Sequence, residues 1–444
     1  MIKKLLAFSL LCVMSVTLTG CDGLFAAPNE VLNAPKLTGE LEGLENAIEN
    51  TIKDKYDFAY PSSGEYRTSC IQVDLDGNEI NEVLVFYIPK TDGLLHFNLF
   101  VKNGSDWKSV GDVSLESASV EKVLFKNLCG DGKLEIVIGT VGFSVADLRT
   151  RKAFVYSYDG EKIQPKFQEN CTDFALCNLI DDGYSQLMML NVSVNQPTVD
   201  GAVAETQPII RTAVARLISV ADGSQNVRYC GEAQMEPSAV SIASSVQGKI
   251  DGKPTLFVDS NVGTNQISTS AFVFDNEKSK LTNPLYDVTT HKTTLSTRPI
   301  GLLCQDVDAD GNIEIPFSHS QESELTDVMV SWGRFQNGEM TVCKSGFYNT
   351  VYSYYFDIPS KWTDVIVTSE NNDETKIYSV SPSAEMNGGV KLCTVEIKDK
   401  KSQTGNGKTA ICSTENYDFY LELASMPAEY SIGTEIIASS FRVL

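Results

Sequence analysis

One stretch of nine residues decides the fold of this chain: Asp306-Val307-Asp308-Ala309-Asp310-Gly311-Asn312-Ile313-Glu314. Carboxylates stand at its positions 1, 3, 5 and 9, and a glycine stands at position 6. Short loops bind Ca²⁺ in this way, because alternate side chains and one backbone carbonyl point inward and the glycine permits a sharp turn. The stretch therefore predicts a Ca²⁺ site formed by the side chains of Asp306, Asp308, Asp310 and Glu314 and the carbonyl of Asn312.

Related stretches recur upstream. In the first, residues 74–82, a second Ca²⁺ site is predicted from four side chains: Asp74, Asp76, Asn78 and Glu82. Glu79 takes the place of the glycine there, which strains the turn. The second copy, residues 127–135, has Cys129 in a ligand position, and a thiol is a poor ligand for calcium. The copies at residues 178–186 and 248–253 are eroded. We expect these three copies to bind no metal.

A second feature, a tight turn, recurs at a similar position after each copy of the loop. Tight turns follow the five copies at Gly104, Gly160, Gly223, Asn276 and Gly338, at spacings of 56, 63, 53 and 62 residues. Asn-Gly and Asp-Gly turns are typical of β-hairpins. The run after each loop is apolar at consecutive positions, as an inner strand between two neighbouring sheets would be. The pattern predicts five units of about four strands each, which must pack together to bury their faces.

Four-stranded antiparallel units arranged around an axis define a β-propeller. We therefore predict a mainly β chain, with a five-bladed β-propeller over residues 65–347 and a small α+β domain over residues 348–444. An open stack or sandwich of the same sheets is the alternative. The units resemble the FG-GAP/VCBS repeats of integrin-type propellers, and this resemblance implies Ca²⁺ bound in loops of the D-x-D-x-D-G-x-x-[DE] type. The stretch Tyr355-Phe356-Asp357-Ile358-Pro359-Ser360-Lys361-Trp362 resembles the opening of PsbP-like α+β domains of bacterial lipoproteins.

The N-terminus predicts an exported, lipid-anchored protein. Lys3 and Lys4 precede a short apolar run over residues 5–16, and Leu18-Thr19-Gly20-Cys21 follows. This run resembles the lipobox of bacterial lipoproteins, which implies a signal peptide over residues 1–20 and acyl chains, such as palmitate, on Cys21. Several acyl chains together anchor a protein stably at the extracytoplasmic face of the cell membrane. Residues 21–39 are predicted to be a tether, and residues 40–64 to hold a short amphipathic helix (40–55) and a turn.

Charge and cysteine usage narrow the possible partners. The chain carries a net charge of −22, which argues against binding to nucleic acid. Nine of the eleven cysteines remain after Cys12 and Cys21 are set aside, so they cannot all pair within one chain. Cys393 and Cys412 are candidates for a disulfide. Buried thiols are the expected state of Cys70, Cys177 and Cys304.

Catalytic motifs are absent from the sequence. The three histidines, His96, His291 and His319, show no zinc-binding spacing, and no G-x-S-x-G motif is present. We therefore expect a binding or scaffold protein whose ligand is a protein or a glycan. The alternative is an enzyme that acts on extracellular polysaccharide at a site in the central channel. A long insertion at residues 194–209 of the third unit is a candidate for a functional loop.

Lipidation at Cys21 has a direct test. The mature protein should partition into detergent with the membrane lipids, and Cys21→Ser should release it or leave it unprocessed. The measurement is fractionation of cells together with the mass of the N-terminal peptide. Processing and partitioning of Cys21→Ser like the wild type would contradict a lipid anchor.

Overall fold

The computed structural model describes thirteen stretches of the chain: residues 43–143, 151–195, 198–199, 202–203, 210–220, 227–293, 297–318, 327–362, 365–371, 375–382, 391–402, 410–425 and 428–443. The predicted signal peptide, Cys21 and the tether lie outside them. Within them, no helix is both long enough and apolar enough to cross a bilayer. The described chain is mainly β and consists of successive antiparallel sheets.

Sheet 1 begins behind a short helix. Helix α1 (Leu44–Thr51) falls inside the predicted range of 40–55, and it buries Leu44 and Ile48 against one face of the sheet. The strands are β1 (Tyr56–Phe58), β2 (Cys70–Val73), β3 (Glu82–Pro89), β4 (His96–Asn103) and β5 (Asp106–Ser114). Because β1 and β2 pair with the two ends of the same edge of β3, the sheet is four strands wide.

Sheets 2 and 3 repeat this antiparallel order. Sheet 2 contains β6 (Ser119–Lys126), β7 (Glu135–Val141), β8 (Arg151–Tyr158) and β9 (Ile163–Cys171). Sheet 3 contains β10 (Asp173–Cys177), β11 (Gln186–Asn195), β14 (Ile210–Ser219) and β15 (Arg228–Gln234). Its connection between β11 and β14 holds a small hairpin of β12 (Thr198–Val199) and β13 (Ala202–Val203). This hairpin lies in the predicted insertion, most of which is outside the described residues.

Sheets 4 and 5 complete the series. Sheet 4 contains β16 (Ala239–Ile250), β17 (Lys253–Val262), β18 (Gln266–Asp275) and β19 (Lys280–Thr282). A hairpin of β20 (Tyr286–Asp287) and β21 (Lys292–Thr293) follows, and β22 (Arg298–Pro299) pairs with β18. Sheet 5 contains β23 (Ile315–Ser318), β24 (Asp327–Gln336) and β25 (Glu339–Asn349). The strand before its loop is reduced to a single bridge between Gln305 and Glu314.

The predicted turns lie between the third and fourth strands of their sheets. Gly104 and Gly160 have positive φ angles of 67° and 99°, and Asn337-Gly338 forms a two-residue turn between β24 and β25. In the turn after β18, the side chain of Asp275 accepts hydrogen bonds from the backbone N–H groups of Glu277 and Lys278. Asp222-Gly223 lies outside the described residues. The second landmark of the repeat is thus observed in four of its five positions.

A β-bulge marks the repeat in three dimensions. It disturbs the third strand of sheets 1, 2, 3 and 5 at four corresponding steps: Leu99/Phe100, Val155/Tyr156, Leu217/Ile218 and Trp332/Gly333. The residue after each bulge pairs with the first residue beyond the nine-residue loop: Phe100 with Val83, Tyr156 with Ile136, Ile218 with Leu187, and Gly333 with Ile315. A bulge bends and twists its strand locally. The loop and the bulge therefore form one structural unit.

The fourth unit departs from this pattern. A two-residue turn at Asp251-Gly252, with φ angles of 51° and 76°, joins β16 directly to β17. The described residues of this unit contain neither a nine-residue loop nor a bulge between β18 and β19. The sequence prediction that the fourth copy is eroded is confirmed.

The strand after each loop packs on both faces, as its sequence predicts. Ile136 and Ile138 of β7 pack toward sheet 1, and Val137 packs toward sheet 3. In β11, Met189 packs toward sheet 2 and Met188 toward sheet 4. Burying an aliphatic side chain of this size contributes about 1.5–3 kcal/mol, so these strands supply much of the free energy that joins consecutive sheets.

Closure of the five sheets into a ring stays a prediction. The apolar clusters join sheets 1 and 2, 2 and 3, 3 and 4, and 4 and 5. Within the thirteen described stretches, no apolar cluster joins sheet 5 back to sheet 1. Helix α1 instead covers the free face of sheet 1. The observed fold is a series of four-stranded antiparallel sheets of the propeller-like kind.

The C-terminal part continues sheet 5 before it forms a sheet of its own. Strand β26 (Tyr354–Asp357) pairs with β25. The C-terminal sheet contains β27 (Val365–Asn371), β28 (Thr375–Pro382), β29 (Cys393–Asp399), β30 (Cys412–Ser413) and β31 (Tyr417–Leu423), with a 3₁₀ turn at Lys400–Ser402. Helix α2 (Thr434–Ser439) and β32 (Phe441–Val443) follow, and β32 returns to pair with β26. The predicted boundary at residue 348 falls inside β25.

The candidate disulfide of the C-terminal part does not form. Cys393 and Cys412 are both free thiols. Strand β31 separates their strands, with Cys393 opposite Leu423 and Cys412 opposite Phe419. Neighbouring strands lie about 4.8 Å apart, so the two Cα atoms are too distant for a disulfide.

Candidate metal loops

The nine-residue loops follow one another along one edge of the sheets. The Leu134 N–H of the second loop donates to Leu75 O of the first (2.9 Å), and the Ser185 N–H of the third donates to Asn127 O of the second (3.4 Å). The side chain of Gln247 then joins the third loop to β16 through both backbone groups of Asn178. We call this the loop edge: residues 74–82, 127–135, 178–186, 251–252 and 306–314.

Every nine-residue loop is closed by the same hydrogen bond. The backbone N–H of position 2 donates to a side-chain oxygen of position 9, as four pairs show: Leu75 to Glu82 (2.8 Å), Leu128 to Glu135 (2.7 Å), Leu179 to Gln186 (2.8 Å) and Val307 to Glu314 (2.9 Å). All four acceptors are at most 3% exposed. Since an unpaired buried N–H is costly, position 9 serves first to close the loop. A neutral glutamine fills this role in the third loop.

The backbone of the first loop accepts its unusual residue. Positions 4 and 6 are left-handed in both acidic loops: Gly77 (φ 79°) and Glu79 (φ 68°) in the first, and Ala309 (φ 60°) and Gly311 (φ 86°) in the fifth. The left-handed conformation costs a residue with a Cβ atom about 1–2 kcal/mol. Glu79 therefore carries strain without changing the course of the loop.

The fifth loop brings its predicted residues together, but a side chain already neutralises them. Asp306, Asp308 and Asp310 each place a carboxylate oxygen within 4.8 Å of the others. Arg334 of β24 reaches this cluster with its guanidinium group. It contacts Asp308 Oδ2 at 2.9 Å, Asp310 Oδ2 at 2.6 Å and Glu314 Oε1 at 2.5 Å. The hydrogen bond to Glu314 is the main reason that the pKa of Arg334 lies above its usual range.

Two further contacts add donors to the fifth loop. Lys344 Nζ donates to Val307 O (2.6 Å), and the Asn312 side chain donates to Asp310 Oδ1 (3.0 Å). Asp306 accepts the N–H groups of Asp310 and Gly311. The hydrogen bond from Gly311 is the largest cause of a lowered pKa of Asp306. The carboxylates of this loop are thus paired with the protein's own donors.

The first loop has similar carboxylates and no such cation. Asp74, Asp76 and Glu82 place one oxygen each within 4.8 Å of the others, which suits ligands about 2.3–2.6 Å from a common Ca²⁺ ion. Among the described residues, no lysine or arginine forms an ion pair with them. Burial, opposed by the Leu75 hydrogen bond and reinforced by the charges of Asp76 and Asp74, raises the pKa of Glu82 to about 7. These carboxylates fit a bound cation.

Backbone donors already organise this loop. Asp74 accepts the N–H groups of Gly77 (2.8 Å), Asn78 (3.1 Å) and Glu79 (2.9 Å). The side chain of Asn78, a predicted ligand, accepts the Ile80 N–H instead (2.7 Å). The structure therefore brings together three of the four predicted ligands of the first loop.

The side chain at position 9 has different contacts in the second and third loops. In the third, Gln186 Nε2 donates to Asp182 Oδ1 (3.0 Å) and to Tyr184 O (2.6 Å), so its amide group bridges positions 5 and 7. In the second, Glu135 Oε1 is buried and has no hydrogen-bond partner among the described residues. Burial is the largest cause of the raised pKa of Glu135.

Two further polar clusters, one around His96 and one around Arg298, hold parts of the fold together by hydrogen bonds. His96 lies between two carboxylates, with Nδ1 at 3.0 Å from Asp112 and Nε2 at 2.9 Å from Asp92, and Tyr87 donates to Asp112. Both ring nitrogens of His96 thus face carboxylates. His291 contacts the hydroxyl group of Tyr286 (3.3 Å), and His319 lies outside the described residues.

The second cluster lies in the core behind the fifth loop. Arg298 donates to Asp259 (2.7 Å) and to Leu302 O (2.6 Å), and Asp259 also accepts the Cys304 N–H (2.7 Å). Burial, followed by the nearby charge of Asp259, raises the pKa of Cys304 well above its usual range. A thiol in this state is a poor nucleophile. The cluster holds the chain before the fifth loop against sheet 4.

Sequence reasoning missed Arg334, although a signal for it exists. In each bulged strand, one residue pairs with the first residue beyond the loop, and the residue that follows it is the one that corresponds to Arg334. This residue is Val101 in sheet 1, Ser157 in sheet 2, Ser219 in sheet 3 and Arg334 in sheet 5. A cation occurs at this place only in the fifth of these units. Finding it requires the register between the second and third strands of a sheet, which the spacing of loops and turns does not provide.

Comparisons with known proteins give no family. No family model matches the chain, and no curated protein matches it. Among solved structures, Bacillus licheniformis rhamnogalacturonan lyase PL11 is similar at 11% identity and a TM-score of 0.30, over 66% of this chain and 68% of the lyase. The exotype rhamnogalacturonan lyase YesX matches at 10% identity and a TM-score of 0.30 (76% and 82% covered). Rhamnogalacturonan lyase YesW matches at 10% and 0.31 (75% and 82%). Scores this low carry no argument about activity.

A pair of exchanges at position 9 tests the closing hydrogen bond. Gln186→Glu places a carboxylate oxygen against Asp182 and Tyr184 O, so it should lower the free energy of unfolding by about 3–5 kcal/mol. Glu135→Gln keeps an acceptor for Leu128 and removes a buried charge, so at neutral pH it should change the stability by less than about 1 kcal/mol or increase it. Chemical denaturation of both variants and the wild type measures this.

The pH dependence of the same variants provides the control. Because the folded pKa of Glu135 is raised, its contribution to stability is greatest below the unfolded pKa and is lost as the pH rises toward the folded pKa. Glu135→Gln should remove this loss above about pH 4.3, the ordinary value for glutamate. Equal destabilisation by both exchanges would show that position 9 requires its native residue for another reason.

Proposed function

We propose that this protein is a membrane-anchored, extracytoplasmic binding or scaffold protein, whose first loop holds a structural Ca²⁺ ion. The observation that carries the proposal is a division between two edges of the sheets. The loop edge is occupied by contacts that stabilise the fold. The edge at the other ends of the strands carries the longest connections and several exposed apolar side chains. The predicted acyl anchor on Cys21 would hold this second edge outside the membrane.

The opposite edge is defined by the antiparallel topology. The nine-residue loops join first and second strands, so second-to-third connections and connections between sheets lie at the other ends. This opposite edge includes residues 90–95, 142–143, 235–240, 263–265, 283–293 and 297–300. Its exposed apolar side chains are Phe143 (50%), Val240 (44%), Val288 (75%) and Ile300 (50%). Connecting segments held by a rigid scaffold often carry binding residues.

The insertion in the third unit supports the same assignment. Strands β11 and β14 are each ten residues long, and the β12–β13 hairpin belongs to the connection between them. The propeller-type arrangement proposed for the five sheets would bring these connections to one side of the molecule. A protein or glycan ligand would contact this side through apolar and aromatic groups, together with the Asp92–His96–Asp112 cluster at the end of sheet 1.

Catalysis is not part of the proposal. In the described stretches the Cys304 thiol has a raised pKa, and the His96 ring is held by two carboxylates. Neither group is arranged as an activated nucleophile or as a free base. The alternative, an enzyme acting on extracellular polysaccharide, gains no support from the lyases described above at their TM-scores, and it becomes an outcome of the binding experiment.

Calcium binding to the first loop is tested by replacing the aspartate at position 3 in the first loop and, as a control, in the fifth loop. At a free Ca²⁺ concentration about 100-fold above the dissociation constant, the ion should add about 2.7 kcal/mol to the free energy of unfolding. Asp76→Asn retains the acceptor for the Asn78 N–H but removes a ligand charge, so it should abolish most of this gain. Calorimetry with calcium and with chelator measures it.

The matched control is Asp308→Asn in the fifth loop. Because Arg334 already neutralises that loop, Asp308→Asn should leave the calcium-dependent gain of the whole protein unchanged. If the calcium-dependent gain in stability survives Asp76→Asn and disappears with Asp308→Asn, the ion is bound by the fifth loop, and the proposal for the first loop is wrong. The absence of any calcium effect on the wild type would remove calcium from the proposal.

Binding at the opposite edge is tested with the chain from Asp22 onward on glycan and peptide arrays. The double variant Phe143→Ser/Val288→Ser should weaken retention of the ligand by at least about tenfold, since each buried apolar side chain contributes about 1.5–3 kcal/mol. The control is Ile80→Ser, because Ile80 is also 50% exposed but lies on the loop edge.

Two outcomes would contradict this assignment. Loss of binding with Ile80→Ser alone would place the ligand on the loop edge. Formation of unsaturated uronate from polysaccharide, followed by ultraviolet absorbance in the same samples, would favour the enzymatic alternative.

A further inference from the structure

We infer that Arg334 is the built-in counter-ion of the fifth loop, so that this loop is closed without metal and excludes Ca²⁺ as long as the guanidinium group is present. The loop with the strongest calcium sequence in the chain would then be the one that does not need calcium. The inference concerns the fifth loop alone, and it stands whether or not the first loop binds calcium.

The geometry of the guanidinium group supports this inference. Its Nη2 lies 2.9 Å from Asp308 and 2.6 Å from Asp310, and its Nε lies 2.5 Å from Glu314. These carboxylates stand at positions 3, 5 and 9, where a calcium loop of this type presents its ligands. The guanidinium group thus bridges the carboxylates at these three positions. Arginine suits this role because its planar donors stay charged and are directed toward carboxylate oxygens.

Burial increases the strength of the contact. Glu314 is fully buried, and the Arg334 side chain is only 21% exposed. A buried carboxylate without a partner is costly, so removing the guanidinium group would leave a charge that requires another cation. Ca²⁺ and Arg334 would compete for the same oxygens, and the attached side chain has the advantage of being always present.

The position of Arg334 in the repeat distinguishes the fifth loop from the first. The corresponding residue of sheet 1 is Val101, and the described residues contain no ion pair to the acidic cluster there. Both clusters have three oxygens within 4.8 Å. The presence of a cationic side chain at this register therefore distinguishes the fifth loop from the first.

The test exchanges Arg334 in a background in which the first loop is disabled. In Asp76→Asn, calcium should not change the melting temperature. In Asp76→Asn/Arg334→Met, chelator should lower the melting temperature, and calcium should restore it with about one ion bound per chain. Removing a unit charge at contact distance should raise the calcium affinity of this loop by at least about tenfold. Calorimetric titration and thermal melts with calcium or chelator give both readouts.

Further variants keep every outcome decisive. Arg334→Lys, which retains a cation, should gain less calcium affinity than Arg334→Met, and adding Asp308→Asn to Arg334→Met should remove the new site. An Arg334→Met protein that folds only in the presence of calcium supports the inference. Calcium binding by Asp76→Asn that is lost on adding Asp308→Asn would overturn it. The inference would also be overturned if both Arg334→Met and Arg334→Gln fold without responding to calcium, or if neither folds even with calcium. Whether the first loop binds calcium is measured by the effect of calcium on the wild type, and that result does not depend on the Arg334 variants.

Discussion

The loop edge depends on one hydrogen bond, from the backbone N–H of position 2 to the side chain of position 9. It occurs in all four nine-residue loops, and its acceptor is buried each time. The bond closes the loop, but it also forces a long polar side chain into the interior beside other carboxylates. Each loop must then find a positive or hydrogen-donating group for the remaining oxygen.

The four loops meet this demand differently. The third uses the amide of Gln186 itself, and the fifth uses Arg334 from a neighbouring strand. In the second, Glu135 Oε1 has no hydrogen-bond partner among the described residues, and burial raises the pKa of Glu135. The first has three carboxylates that form no ion pair with a lysine or arginine within the described stretches, so a metal ion is the group that would complete it. A repeated motif can therefore keep one backbone shape while its chemistry diverges.

This divergence separates stability from recognition. Contacts among the loops join consecutive sheets along one edge, and apolar strands join them through their faces. The opposite edge contributes Leu95, Met235 and Leu285 to the apolar clusters, but it leaves Phe143, Val240, Val288 and Ile300 exposed. Connecting segments held by a rigid scaffold often carry binding residues. The binding function that we propose uses these exposed side chains.

The sequence alone determined the features that arise from local spacing. The alternating carboxylates, the turns and the apolar runs predicted the loops, the four-stranded units and the two-faced inner strands, because each depends on residues close together in the chain. Which loop has an acidic cluster without a cationic partner depends on contacts between residues that are distant in the chain. Arg334 lies 20 residues beyond Glu314, and a strand pairing with a β-bulge brings them together. The same limit explains Cys393 and Cys412, whose strands are separated by β31, and β32, which returns to sheet 5 from the end of the chain. Contacts of this kind depend on strand order and register, and the order of residues along the chain does not specify either.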